Sequence, residues 1–332
     1  MKKAAILWIA ILKSFCLADS SIQDISFSRA GDDSTFLIVK YSGDLVPRLN
    51  PGIGDSLVLY IERCQGVSQP PPVTLRHEKY IKKIQWRSIQ NLFKMTVTFG
   101  IRPSCKVSMN RSELRFSFAA PDSNAVPSLA PFIRYSGDDP DYHACFGPVP
   151  ETVVNNMAAS RQAACPTDIN DLAYLEISHW GTDDKKHRGA MIVHKLLAFE
   201  VLEIFSDLYT NKFPIEQMRL VDEFDGDDNL SMAANNTSAF NCRRSTGDHN
   251  RLSAHAFGTA IDINPLMNPY VNRTKTLPEN GRKYKNRALK AKGLIRKNDA
   301  CYQAFVKRGW IWGGSWERSK DYQHFEKNIR LN

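Results

Sequence analysis

From Ser21 to Phe118 the apolar positions fall in short runs rich in Val, Ile, Thr, Phe and Tyr, a pattern that predicts strands. Thr35–Tyr41, Ser56–Glu62 and Leu92–Phe99 are three of them. In a fourth, Leu114, Phe116 and Phe118 alternate with Arg115 and Ser117, the two-residue period of a half-buried strand. Pro51-Gly52, Gly54-Asp55 and Pro70-Pro71-Pro72 supply turn chemistry between runs. The pattern then breaks. Residues 121–150 carry Pro121, Pro127, Pro131, Pro140, Pro148 and Pro150 and read as a Pro-rich linker. Beyond it, Gly189–Thr210 places Ile192, Leu196 and Phe199 at three- and four-residue spacing and predicts a helix that Pro214 cannot continue. Met218–Val221 and Ala260–Asn264 read as strands, and His324 opens a last one. Helices followed by scattered strands, with no repeating βαβ unit, predict an α+β domain at 151–332, its helices packed on a small, mostly antiparallel sheet. A small all-β domain at 19–120 precedes it.

The 332 residues are 42% hydrophobic and 24% charged, enough to bury two globular cores. Residues 1–18 have the layout of a secretory signal peptide: Lys2 and Lys3, an apolar run from Ala4 to Leu12, and a cleavage site at Cys16-Leu17-Ala18. That run is too short to span a bilayer, so no stable transmembrane segment is expected, and the predicted location is secreted or periplasmic. Without the leader, six of seven cysteines remain, an even number that favours disulfides in an exported protein. Order along the chain predicts Cys64–Cys105, Cys145–Cys165 and Cys242–Cys301. The formal charge is +9, of which the leader holds three Lys. Ten Lys or Arg against Glu279 and Asp299 concentrate between Val271 and Ala300. That stretch reads as a solvated loop or as a contact for acidic envelope polymers. Nucleic acid is not expected as a partner, because no aromatics interleave the basic run.

Chemistry concentrates in two segments, Ser253-Ala254-His255-Ala256-Phe257-Gly258-Thr259-Ala260-Ile261-Asp262 and Asp321-Tyr322-Gln323-His324-Phe325. His255 and His324 offer neutral nitrogens and Asp262 an anionic oxygen, a set that suits one zinc ion with an open fourth position. Gly258 supplies the turn between the first two. Asp321, three residues before His324, is the candidate general base. Amide hydrolysis develops a negative oxygen that a cation stabilises; Arg243 and Arg244 are the candidates, with Arg188 as an alternative.

Residues 253–262 match the S-x-H-x-x-G-x-A-x-D motif of the D-alanyl-D-alanine carboxypeptidase family of zinc peptidases, and Asp321–Phe325 matches its second motif. The stretches Asn235–Arg243 and Ile261–Pro265 resemble the branch that includes L-alanyl-D-glutamate endopeptidases. The resemblance runs from about Leu172 to Lys327. It implies zinc on His255, Asp262 and His324, Asp321 as base, Arg243 as the transition-state arginine, and Ser253 in contact with substrate. The implied substrates are the peptide stems of peptidoglycan. A carboxypeptidase also needs a cation for the substrate's free carboxylate, which Arg244 or the basic stretch supplies in this reading. Members of the branch often carry Asp where this chain has Ser315, which puts hydrogen-bond support of the site in question. The strand pattern before residue 120 resembles the AMIN domain of some cell-wall hydrolases, which implies a binding or targeting module.

His194 is expected as a helix residue without a role, and His179, His187 and His249 as surface or cleft-lining residues. Trp310, Trp312 and Trp316 are expected to pack. Asp225-Gly226-Asp227-Asp228 lacks the downstream Glu of a calcium loop. Two functional classes follow: a zinc-dependent stem-peptide hydrolase, or a non-catalytic envelope-binding protein that retains the fold. Asp321 separates them, since a pure binder has no use for a base beside an open metal site.

Overall fold

The computed structural model describes residues 20–29, 34–42, 47–50, 56–62, 64–65, 80–89, 92–100, 103–109, 112–120, 133–136, 139, 141–162, 164–248 and 250–329. The expected leader, the turns at Pro51-Gly52, Gly54-Asp55 and Pro70–Pro72, and His249 lie outside the described residues. The chain is a mixed α and β structure with few helices and many strands.

Among the described residues, nine strands form the largest sheet. From one edge they are Lys186–His194, Leu172–Trp180, Ala144–Gly147, Ile133–Ser136, Ser104–Met109, Glu113–Ala119, Ser34–Ser42, Ser20–Arg29 and Cys64–Gln65. A four-stranded sheet, Pro47–Asn50, Ser56–Glu62, Leu92–Phe99 and Ile81–Ile89, accompanies it. The two-residue period decides which face is core: Leu114, Phe116 and Phe118 are buried while Arg115 between them is exposed. Leu37, Val39 and Tyr41 face the same way on the paired strand.

The Pro-rich stretch 121–150 contains two strands of this sheet. Ile133–Ser136 pairs in parallel with Ser104–Met109 and antiparallel with Ala144–Gly147. Ile133 and Tyr135 alternate with Arg134 and are buried, and the Tyr135 ring packs edge-on to Phe199 at 5.4 Å. The prolines therefore bracket strands that tie the N-terminal β-structure to the C-terminal half. One apolar cluster runs from Ile22 to Phe325.

The helix expected over Gly189–Thr210 is two elements. Lys186–His194 is a strand paired antiparallel with Leu172–Trp180 along all nine residues, and the helix is Ala198–Thr210. Met191, Ile192 and Val193 are all buried, so the apolar run reads equally well in either period, and tertiary pairing decides it. The helix buries Phe199, Val201, Leu202, Ile204, Phe205 and Leu208, each worth about 1.5–3 kcal/mol against exposure. Of the expected strand Met218–Val221, only Met218 is in a strand (Gln217–Met218), and Val221 begins a 3₁₀ turn. Ala260–Asn264 shortens to Ala260–Asp262, because Asn264 adopts φ +45°.

Among the described residues the disulfide is Cys165–Cys242, with Cα atoms 5.9 Å apart. Both expected pairings that use these residues are thereby overturned: Cys145 is a free thiol near Glu176, and Cys301 is free and buried in the helix Ala300–Val306. Cys105 is also a free, buried thiol. Its strand is separated from the Cys64 strand by three others, about 19 Å at the usual strand spacing, well beyond bridging distance. Pairing by order along the chain fails because Cys165 and Cys242, 77 residues apart in segments outside the strands, are brought together only by the tertiary fold.

Candidate metal centre

A three-stranded antiparallel sheet, Ala260–Asp262, His324–Glu326 and Ile311–Trp312, carries two of the three expected ligands. In its register Asp262 faces His324 directly, which brings residues 62 positions apart side by side. The Asp262 backbone is held on its other side by reciprocal bonds with Ser238, at 2.8 and 3.0 Å. His255 arrives from a 3₁₀ turn, Ala254–Phe257, capped by the Ser253 hydroxyl, which accepts the His255 N–H. Gly258 closes that turn at φ +65°, and a Cβ there would lie 2.5 Å from the His194 nitrogen. Only glycine fits both demands.

The three side chains converge. His255 Nε2 lies 3.2 Å from His324 Nδ1 and 3.2 Å from Asp262 Oδ2, and His324 Nδ1 lies 3.0 Å from Asp262 Oδ1. All three residues are buried. Ligands at 2.0–2.1 Å from a tetrahedral zinc are separated by about 3.3 Å, so the donor set and its spacing fit that ion. Each imidazole is also oriented from behind. His255 Nδ1–H donates to the Ala239 carbonyl at 2.5 Å, leaving Nε2 as the free donor atom. His324 Nε2–H donates to Glu326 at 3.3 Å, leaving Nδ1. Such partners fix tautomer and ring angle.

Burial opposes charge throughout this cluster, and the neighbours decide the outcome. It would raise the Asp262 carboxyl, yet His255 and His324 outweigh it and hold that group well below the usual carboxylate range. Burial would likewise lower His324, but Asp262 and Glu326 push it up to about 10.

Asp321 ends the short strand Lys320–Asp321 and lines the same cleft of about 210 Å³. Its Oδ1 is buried with no hydrogen-bond partner, and burial, reinforced by Asp262, pushes the carboxyl up to about 7. Gly313 makes room for it: a Cβ there would lie 2.8 Å from that of Asp321 and 3.3 Å from that of His324.

Ser253 and Arg243 line the cleft as well. The Arg243 guanidinium pairs with Asp228 at 2.9 Å, and the adjacent Cys242 is anchored by its disulfide and by the bond from its N–H to the Ser160 carbonyl. Arg244 is exposed and does not line the cleft; Arg251 does. Arg188 sits exposed on the strand Lys186–His194, away from the site. Ser315 is exposed and lines a neighbouring cavity. His194 is not helical: it is buried at the end of its strand. His179 is buried against the exposed His187, outside the cleft.

Glu326, Asp228 and Arg251 were not singled out from sequence. Glu326 carries a usable signal, since residues two apart on a strand share a face and His324 and Glu326 are so spaced. Asp228 has none, lying 15 residues before Arg243 in a segment that reads as an acidic loop.

Residues 246–327 match the family model described as D-alanyl-D-alanine carboxypeptidase. The match includes His255, Asp262, Asp321 and His324; Arg243 lies before it. No curated protein and no solved structure matches the chain.

Proposed function

We propose that the protein is a zinc-dependent hydrolase of peptidoglycan stem peptides, acting as an L-alanyl-D-glutamate endopeptidase or a D-alanyl-D-alanine carboxypeptidase. The observation that carries this reading is the convergence of His255 Nε2, Asp262 and His324 Nδ1 beside the buried Asp321 carboxyl, whose Oδ1 has no hydrogen-bond partner, in a segment that matches a peptidase family model. His255, Asp262 and His324 would hold the zinc ion, which would supply Lewis acidity toward a carbonyl and toward water. Asp321 then takes a proton and returns it to the leaving amine, a task suited to a buried carboxyl that lines the cleft beside the ligands. Arg243, steadied by Asp228, supplies positive charge where the carbonyl oxygen becomes negative. Ser253 and Arg251 are placed to contact the peptide, and Arg251 replaces Arg244 as the cation available to a substrate carboxylate.

The disulfide suits an oxidising compartment, in keeping with export through residues 1–18. Among the described residues, no helix is long and apolar enough to cross a membrane. The β-structure before residue 120 is assigned to docking on the cell envelope. Digesting purified muropeptides with the zinc-loaded protein and identifying the products by mass spectrometry tests the reading. A free D-Ala product indicates the carboxypeptidase, a cut after L-Ala the endopeptidase, and intact substrate refutes both.

A further inference from the structure

The strand Lys320–Asp321 separates two hollows. Successive strand residues point to opposite faces; Asp321 lines the metal cleft, and Lys320 lines a second cavity of about 420 Å³. Four cations, Arg287, Arg296, Lys297 and Lys320, line this second cavity beside Trp312 and Tyr322, and no acid does. Three of the four come from the basic stretch between Val271 and Ala300, so folding gathers a charge run into one concave surface.

Arg287 is built in rather than draped over. Its Nη1 donates to the carbonyls of Met267 and Tyr284 at 2.8 and 3.0 Å, and its Nη2 to Asn268 Oδ1 and the Ile295 carbonyl at 2.6 and 2.8 Å. The guanidinium stacks over the Tyr322 ring at 4.4 Å, and its Nε is buried without a partner. Every one of these acceptors is neutral, so its charge is not neutralised by contact. The acid of the adjoining turn, Asp299, directs its two oxygens to the N–H groups of Arg296 and Tyr302 at 2.6 and 2.8 Å. A fixed, stacked positive charge with Arg296, Lys297 and Lys320 around it is an arrangement suited to a multiply charged oxyanion, and the volume falls within the range of organic-ligand sites.

We infer that this cavity is a binding site for a phosphate-bearing polyanion, distinct from the metal centre. A dianionic phosphate group is matched better than a single carboxylate, because four cations face one hollow with no acid among them. Arg287 supplies a fixed positive charge while its own N–H groups stay bonded within the protein, and Lys297 and Lys320 supply ammonium groups to the ligand.

The test is calorimetric titration of the metal-free full-length protein with tripolyphosphate. The site predicts a single saturable binding event. It also predicts weakening of about tenfold when Lys297→Glu and Lys320→Gln are combined. Lys297 is exposed and Lys320 half-buried with its ammonium on the Trp316 carbonyl; a circular dichroism melt checks that the fold survives the change. Lys185→Glu, exposed on a different element, should leave binding unchanged. The inference is overturned by absence of binding or by equal weakening in the Lys185→Glu control. Undiminished binding in the double variant overturns it too, as does glutarate binding as tightly as tripolyphosphate. Because the measurement needs no turnover, its outcome is separate from that of the peptidase assay.

Discussion

His255 presents Nε2 and His324 presents Nδ1, and these two atoms lie 3.2 Å apart. The unlike nitrogens follow from what stands behind each ring: the Ala239 carbonyl takes Nδ1–H of His255, and Glu326 takes Nε2–H of His324. His255→Ala, Asp262→Ala and His324→Ala should therefore each abolish stoichiometric zinc. Glu326→Gln should lower zinc affinity by about 10–100-fold, as expected for a residue that orients a ligand. Elemental analysis and competition with a chelating dye measure both effects.

Asp321 lines the cleft without belonging to the three-residue cluster. Asp321→Ala should retain near-stoichiometric zinc and lose about 10²–10⁴-fold in kcat. Undiminished turnover would remove the residue from its role as base, and metal loss would make it a ligand.

Asp228 and Arg243 form a half-buried pair at 2.9 Å. Asp228→Asn removes the partner that steadies the guanidinium, so kcat should fall about tenfold with zinc content intact. Arg243→Ala should fall further, and the double variant no further than Arg243→Ala alone. Steady-state kinetics on a defined muropeptide gives the comparison.

His194 is buried, and desolvation lowers its pKa to about 4. Its Nδ1 accepts the Leu196 N–H at 3.3 Å, a bond that protonation there would break. The folded-state value lies below the unfolded one of about 6.5, so the contribution to stability is whole above pH 6.5 and is lost as pH falls toward 4. Replacing His194 by Gln should remove about 1–3 kcal/mol of the acid sensitivity across that window. Urea unfolding of both proteins at pH 7.5 and pH 4 measures the difference.

The strands with a two-residue period are legible in the sequence, because alternation by itself identifies a buried face: Leu114, Phe116 and Phe118 are all fully buried. The run through Met191, Ile192 and Val193 is not, since a segment buried on both faces has no period to read. Prolines between 121 and 150 suggest a connector, yet Ile133–Ser136 finds a sheet edge between them. Cysteine pairing is illegible too: Cys165 and Cys242 lie 77 residues apart outside the strands, and only the tertiary fold brings them together.

Sequence alone determined the kinds of atom in the metal site, because Ser253–Asp262 and Asp321–Phe325 each place donor residues around a turn or along a strand of fixed geometry. Local geometry reaches only a few residues. The antiparallel register that sets Asp262 opposite His324, the glutamate and carbonyl that choose each ring nitrogen, and the Asp228 that holds Arg243 were all decided by tertiary structure. So was the gathering of Arg287, Arg296 and Lys297 with Lys320 around one cavity. The physical reason is that ligand spacing and uncompensated charge are properties of distances in space, and the chain sets those distances only once its strands have paired.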